Sequence, residues 1–502
     1  MRITNKVMQN NSLRNINNNK VLQDDLNTQL ATGKKITKPS DDPVVAIRAL
    51  RLRTDVSQVN QYYEKNIPDA KSWLALTESS IQTTISVVKD IVEQCEKGSS
   101  DQLTTSDRQT IIDSLKALRD EIYKTGDSDY AGRYVFTGYR TDTSLSFGEV
   151  TSKQYTITEN FDLDDLQEMP YLQVKNLMSV TETNYDDASV VTEENDIKEI
   201  KYYRFRLAYD NLDETAPTLT YRKDGTDYAV QPTVETDRET AYLNAANNPN
   251  AMYIIPETGE LVMGKDIYED INSSKENMHL TYSKTNWAAE DLRPEHYFYC
   301  ESPDVKGNLI KYNPDYLTNE TASPDQEVSY QVGFDQAVQV NTYASDIYKH
   351  AIGRDVDEIT DLAERLNEAE ELSKKLEEMK KDPNKYPDAS GNLAAEADAA
   401  KKAVTFLKDE LQKRFSNYIT KSQGYLDNAN TELTKVGNRS KRITLAENRL
   451  SEQQVTFKTL QSENEDVDAT EAAVQLSSAS VSYEAALMAT GKMIQTTLLN
   501  YL

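Results

Sequence analysis

Residues 476–502 read LSSASVSYEAALMATGKMIQTTLLNYL. Within them Leu476, Tyr483, Leu487, Ile494, Leu498 and Tyr501 form an apolar helical face that runs to the last residues, where most chains are polar and frayed. Such a face needs a partner. The other end of the chain offers one, because Leu22, Leu26 and Leu30 recur at four-residue steps behind Leu13 and Ile16, and that stripe stops at Gly33. The economical reading pairs the two terminal helices and buries what remains against other subunits. The candidate assembly interface is therefore Leu13, Ile16, Leu22, Leu26, Leu30, Leu476, Tyr483, Leu487, Ile494, Leu498 and Tyr501.

Inward from these ends the pattern stays helical before it changes. Leu74, Ile81, Val88 and Cys95 repeat every seven residues with Ile85 and Val92 beside them, the spacing of a helix in a bundle or coiled coil. Pro68 interrupts this run and is expected to kink or restart the helix. A further helix is predicted over Thr105 to Thr125, closed by Gly126. Toward the other end, Val436, Ile443, Leu450 and Phe457 repeat every seven residues, as do Leu460, Val467, Val474 and Val481, so both sets are expected to continue one long seam. Between the two helical regions, Tyr203, Phe205, Leu207 and Tyr209 alternate with Arg204, Arg206 and Ala208, the period of a strand with one buried face. Hairpins are predicted around Asp224-Gly225 and around Pro256 to Gly259, and short strands at His279 to Ser283 and Val328 to Val332.

The fold class that follows is mainly α with a β-rich insertion, an α+β multidomain chain whose terminal helices pair into a coiled-coil rod or bundle. Residues 1–43 and 465–502 make the terminal assembly helices, 44–148 and 341–464 a helical rod domain, and 149–340 a β-rich outer domain of one or two subdomains.

Charge and composition exclude several functions. The net charge of −27 argues against a nucleic-acid partner, and the densest basic run, Lys435 to Arg442, sits within a mixed helix. Two cysteines, Cys95 and Cys300, cannot build a disulfide framework or a Cys-rich metal site, and Cys95 falls on a buried stripe. His279, His296 and His350 show no ligand spacing, so no metal and no cofactor are expected. No stretch is long and apolar enough to predict membrane spanning, and the polar Met1 to Lys20, without an apolar segment, predicts no cleavable leader. Asp162, Asp164, Asp165 and Glu168 lack the glycine and distal glutamate of a calcium loop. Asp355, Asp357, Glu358 and Asp361 read as an exposed face near a helix start. The 30 tyrosines could line a sugar-binding surface, although half-buried strand positions account for them more simply.

At this point particular residues match a known family. Met1-Arg2-Ile3-Thr4-Asn5 resembles the opening of the flagellar hook-filament junction proteins, the hook-associated protein 3 branch of the flagellin family. Ala31 to Ile36, Pro39 to Pro43 and Ala49 to Arg53 are similar to the family's spoke between its first two helices. Gly132 to Gly138 with Thr141 to Thr143 resembles the hairpin that leaves the helical core, and Leu498 to Leu502 resembles the junction-protein ending. Aligning on Glu93 puts Asp90, Ile91 and Val92 where flagellins recognised by animal immune receptors carry an arginine pair around an apolar residue, so that recognition is not implied.

The resemblance implies a non-enzymatic structural subunit, exported without a cleaved signal through the flagellar type III channel and placed outside the cell on the flagellum. Its implied partners are other copies of itself in a ring, the hook-side junction protein, flagellin, and a cytoplasmic export chaperone on the C-terminal helix. Terminal helices with so little apolar face are expected to be disordered in the monomer and to fold on assembly. Filament flagellin is the first alternative, and an adhesin or enzyme domain in residues 150–340 the second.

Overall fold

In the computed structural model the described residues are 5–499, without 101–102, 188–189, 191–196, 224–225, 275–277, 305 and 318–325. The helices are α1 (Asn5–Thr32), α2 (Pro43–Gln61), α3 (Ile67–Gly98), α4 (Thr105–Gly126), α5 (Lys175–Met178), α6 (Arg238–Asn247), α7 (Lys265–Ser274), α8 (Ala344–Ile347), α9 (His350–Lys380), α10 (Asn392–Glu465) and α11 (Ala469–Leu499). Long helices at both ends flank a β-rich middle, as the residue periodicity predicts. The chain divides into two compact units, one of residues 1–71, 330–338 and 441–502, the other of residues 72–329 and 339–440.

In the first unit, α2 begins because Asp42 accepts from the backbone N–H groups of Val44 and Val45 and Pro43 occupies the first turn, where no N–H is needed. It ends in a π-helical turn, Tyr62–Asn66, after which the Ile67 N–H reaches back to the Tyr62 carbonyl. That wider turn lies just before Pro68, which cannot donate to the ladder, and helical backbone continues into α3. Gln454 on α10 donates to Asn60, and Lys71 pairs with Glu447.

In the second unit, α4 opens on a reciprocal capping box of Thr104 and Asp107. It packs on α9, where the Tyr123 hydroxyl accepts from the Gly353 N–H at 3.0 Å. A side chain at Gly353 would strike that hydroxyl at 2.5 Å. Leu74, Ile81, Val88 and Cys95 of α3 are buried as their spacing predicts, and burial pushes the Cys95 thiol up to about 12, far from a reactive thiolate.

The β region is two sheets sharing one core. The six-stranded sheet runs Leu309–Tyr312, Tyr299–Pro303, Thr151–Phe161, Met278–Trp287, Thr218–Lys223, Thr226–Val230. The five-stranded sheet runs Gln167–Leu172, Glu199–Arg206, Glu260–Met263, Met252–Ile255, Thr233–Val234. Tyr155, Ile157 and Leu280 from the first and Phe205, Leu261 and Met263 from the second fill the shared core. Both expected hairpins form, although the turn Asp224-Gly225 lies outside the described residues. Gly259, at φ +59°, closes the second one where a Cβ would meet the Tyr209 carbonyl oxygen at 1.9 Å.

One strand departs from expectation. Strand Glu199–Arg206 buries both faces, not one: Phe205 turns into the shared core, while Tyr202, Arg204 and Arg206 turn toward α6 and α9. The carboxylates expected on an exposed face, Asp355, Asp357, Glu358 and Asp361, are drawn onto that side. Arg204 and Arg206 each reach Glu358 at 2.7 Å, Arg206 also binds the buried Asp355, Asp357 pairs with Arg119, and Asp361 meets Arg238 at 2.6 Å. A strand guanidinium placed indoors needs an opposite charge, and the helix supplies it. Burial alone would raise the Glu358 carboxyl, yet Arg204, Arg206 and Arg414 hold it well below the ordinary range.

Candidate assembly interface

The two terminal helices pack on one another. Helix α1 ends beside the start of α11, so the two run in opposite directions. The less exposed positions of α1 are Ser12, Ile16, Asn19, Gln23, Leu26, Gln29 and Leu30, and those of α11 are Ala472, Leu476, Ala479, Ser480, Tyr483, Ala486 and Thr490. Apart from Gln29 and Ser480, both sets step alternately by four and three, which is the seam of an antiparallel coiled coil. Alanine every seventh residue lets the helices approach closely, while Leu476 and Tyr483 fill the intervening space. The seam is thin, because half of the α1 positions are polar.

Of the expected interface, Ile16, Leu26, Leu30, Leu476 and Tyr483 lie in this seam. Leu13, Leu22 and Leu487 do not, being 55%, 49% and 44% exposed. The side chains of Ile494 and Leu498, and all of Tyr501, lie outside the described residues.

The expectation that Leu460, Val467, Val474 and Val481 extend the α10 seam is corrected. Helix α10 ends at Glu465 and α11 begins at Ala469, and this break resets the helical phase. Leu460 is exposed, and Val474, Val481 and Met488, seven residues apart, are 66%, 64% and 70% exposed on the back of α11. The close approach of α1 selects the alanine face, and the branched stripe is left outside.

The break is held by a clamp that the periodicity gave no sign of. Arg53 grips the Glu465 carboxylate with Nε and Nη2, both at 2.7 Å, and Lys34 Nζ reaches Asp466 at 2.5 Å and Glu465 at 3.4 Å. The Lys35 N–H donates to the Glu465 carbonyl and the Val467 N–H to the carbonyl of Gly33, which sits at φ +70°. The Glu465 side chain is only 3% exposed, and the Arg53 hydrogen bond holds its carboxyl below the ordinary range. Asp41 accepts from the Thr37 and Lys38 N–H groups and so shapes the loop that presents Lys34 and Lys35. The partners are more than four hundred residues apart in sequence, so only opposite charge could have hinted at them. Among the described residues no group of three or more His, Cys, Asp or Glu is placed to hold a metal ion, and no helix is long and apolar enough to cross a membrane.

Both ends of the chain match family models. Residues 3–141 match the bacterial flagellin N-terminal helical region and residues 419–502 the bacterial flagellin C-terminal helical region. Among curated relatives the chain is similar to flagellar hook-associated protein 3 of Salmonella typhimurium, 30% identical over 145 residues, which is 29% of this chain and 45% of that one. It is similar also to flagellin of Clostridium tyrobutyricum, 30% identical over 122 residues, 24% of this chain and 32% of that one. The chain thus spans less than half the length of these curated relatives. The crystal structure of flagellar hook associated protein-3 from Legionella pneumophila aligns at 9% identity over 82% of this chain and 97% of that one, with a TM-score of 0.29, too low to bear on the fold.

Proposed function

We propose that the chain is a structural, non-enzymatic subunit of the bacterial flagellum, an adaptor at the hook-filament junction that assembles through its paired terminal helices. The observation that carries this reading is the α1–α11 pair, whose seam is satisfied internally while Val474, Val481 and Met488 stay bare behind it. A tube made from one repeated, non-closing contact needs two different complementary surfaces on each subunit, and such a pair offers them. Similarity to hook-associated protein 3 of two species favours the junction over the filament. Residues 1–43 and 465–502 then act as the assembly part, 44–148 and 341–464 as its helical support, and 149–340 as the outer domain.

In that setting the partners are other copies in a ring, the hook-side junction protein, flagellin, and an export chaperone that covers the C-terminal helix in the cytoplasm. The thin, half-polar seam supports terminal helices that order only on assembly, which suits passage through the type III channel. Strong amide protection of residues 5–30 and 475–499 in the isolated monomer would contradict this ordering.

The deciding experiment deletes the gene in its own bacterium, with electron microscopy of the cells and assay of the medium. Hooks without filaments, with flagellin shed into the medium, are expected; normal filaments would reject the junction role. The second reading, filament flagellin, rests on the similarity to the Clostridium tyrobutyricum protein. Long filaments grown from the purified chain alone would favour it.

A further inference from the structure

The second unit contains a cavity of about 340 Å³ between the inner side of strand Glu199–Arg206, helix α6 and helices α9 and α10. One wall is aromatic: the rings of Tyr202 and Tyr242 stack at 4.2 Å, and Tyr171 lies 4.9 Å from Tyr242. The Tyr171 and Tyr242 hydroxyls donate to Glu239 and Glu260, which fixes the rings in the cavity wall. The charged lining is mixed, six arginines facing seven carboxylates. Arg204, Arg206, Arg238, Arg354 and Arg414 are each tied to a carboxylate of the chain itself. Arg365 is different. Its guanidinium lies 5.0 Å from the Tyr171 ring centre and lines the cavity, yet it has no hydrogen bond or ion pair among the described residues. A guanidinium parked on an aromatic ring keeps its N–H edge free for a carboxylate. At the mouth, Asn211 and Glu257 are exposed, and their side chains likewise have no hydrogen-bond partner among the described residues.

We propose that this cavity binds a small acidic sugar, with its carboxylate on Arg365, the C–H face of its ring against the tyrosine wall, and its hydroxyls on Asn211 and Glu257. The lining favours a sugar acid over an aromatic acid. A sugar acid adds hydroxyl contacts to Asn211 and Glu257 at the mouth that an aromatic acid cannot make. The volume lies at the lower end of the range for small-molecule sites, room for a single ring. No bond is made or broken; the site is for recognition.

The test is calorimetric titration of the full-length protein with D-glucuronate and with D-glucose, its counterpart without the carboxylate, for the wild type, Arg365→Gln and Arg365→Lys. Saturable glucuronate binding is expected, with glucose at least tenfold weaker. Arg365→Gln should lose glucuronate affinity at least tenfold with an unchanged unfolding midpoint, and Arg365→Lys should recover part of it. Because Arg365 is half-buried and unpaired, the glutamine variant is expected to fold; if it does not, the glucuronate-to-glucose ratio on the wild type decides. Equal binding of the two sugars, no glucuronate binding, or full affinity in Arg365→Gln would overturn the proposal.

Discussion

Glu396 shows how a single side chain sets a pH dependence. It is fully buried near the start of α10 beside Leu393, Ala397, Ala399 and Ala400, and neither carboxylate oxygen has a hydrogen-bond partner. Burial, with the charges of Asp388 and Asp186, pushes its carboxyl up to about 7. Because the folded-state value is raised, the group is neutral and harmless below the unfolded value. Stability is then lost as the pH rises from about 4.5 to about 7, by an amount on the order of 3 kcal/mol. Glu396→Gln should therefore stabilise the chain by about 1–3 kcal/mol at pH 8 and change little at pH 5. Denaturant unfolding at the two pH values checks this, and an equal effect at both would refute it. Glu159, likewise buried and pushed up to about 7, retains its own slope in that variant.

The clamp across the α10–α11 break acts at the scale of the element. Two helices interrupted at 466–468 have no backbone ladder to fix their relation, so the Arg53, Lys34 and Glu465 contacts take over that work. Replacing Glu465 by Gln leaves the Arg53 cation facing a neutral amide, while Lys34 keeps Asp466. Amide exchange at the break, over residues 460–468, should then accelerate about tenfold, about 1.4 kcal/mol of local opening, while α4 and α9 keep their protection. Exchange mass spectrometry reads both at once, and unchanged rates at the break would rule the clamp out. The α1–α11 seam works at the same scale: alanine at 472, 479 and 486 sets how closely the helices approach and so decides which stripe of α11 is left outward.

For the whole molecule, the proposed function predicts that fold and assembly surface are separable. Val481 stands 64% exposed in the single chain, so Val481→Asp should leave the unfolding midpoint of the purified protein nearly unchanged, within about 0.5 kcal/mol. In the proposed assembly the same change would bury an unpaired charge and should abolish function. Supplying the variant to a strain lacking the gene is expected to give hooks without filaments, and wild-type filaments would show that the back of α11 is not a contact surface. An intact midpoint together with lost assembly distinguishes this from simple unfolding.

The sequence by itself determined the helical ends, the β-rich middle, the buried α3 stripe and both hairpins, because each rests on local period and turn chemistry that neighbouring residues settle among themselves. Tertiary structure alone decided the rest. The alternation of Tyr203 to Tyr209 looks the same whether the arginine side meets water or a second layer, and only packing against α6 and α9 buried it and recruited Asp355 and Glu358. The valine repeat at 467, 474 and 481 is as regular as the alanine seam beside it, and hydrophobicity alone prefers the valines. Close approach of α1 chose the alanines, since the face that fits a partner depends on the partner's shape, which no single stretch of sequence contains.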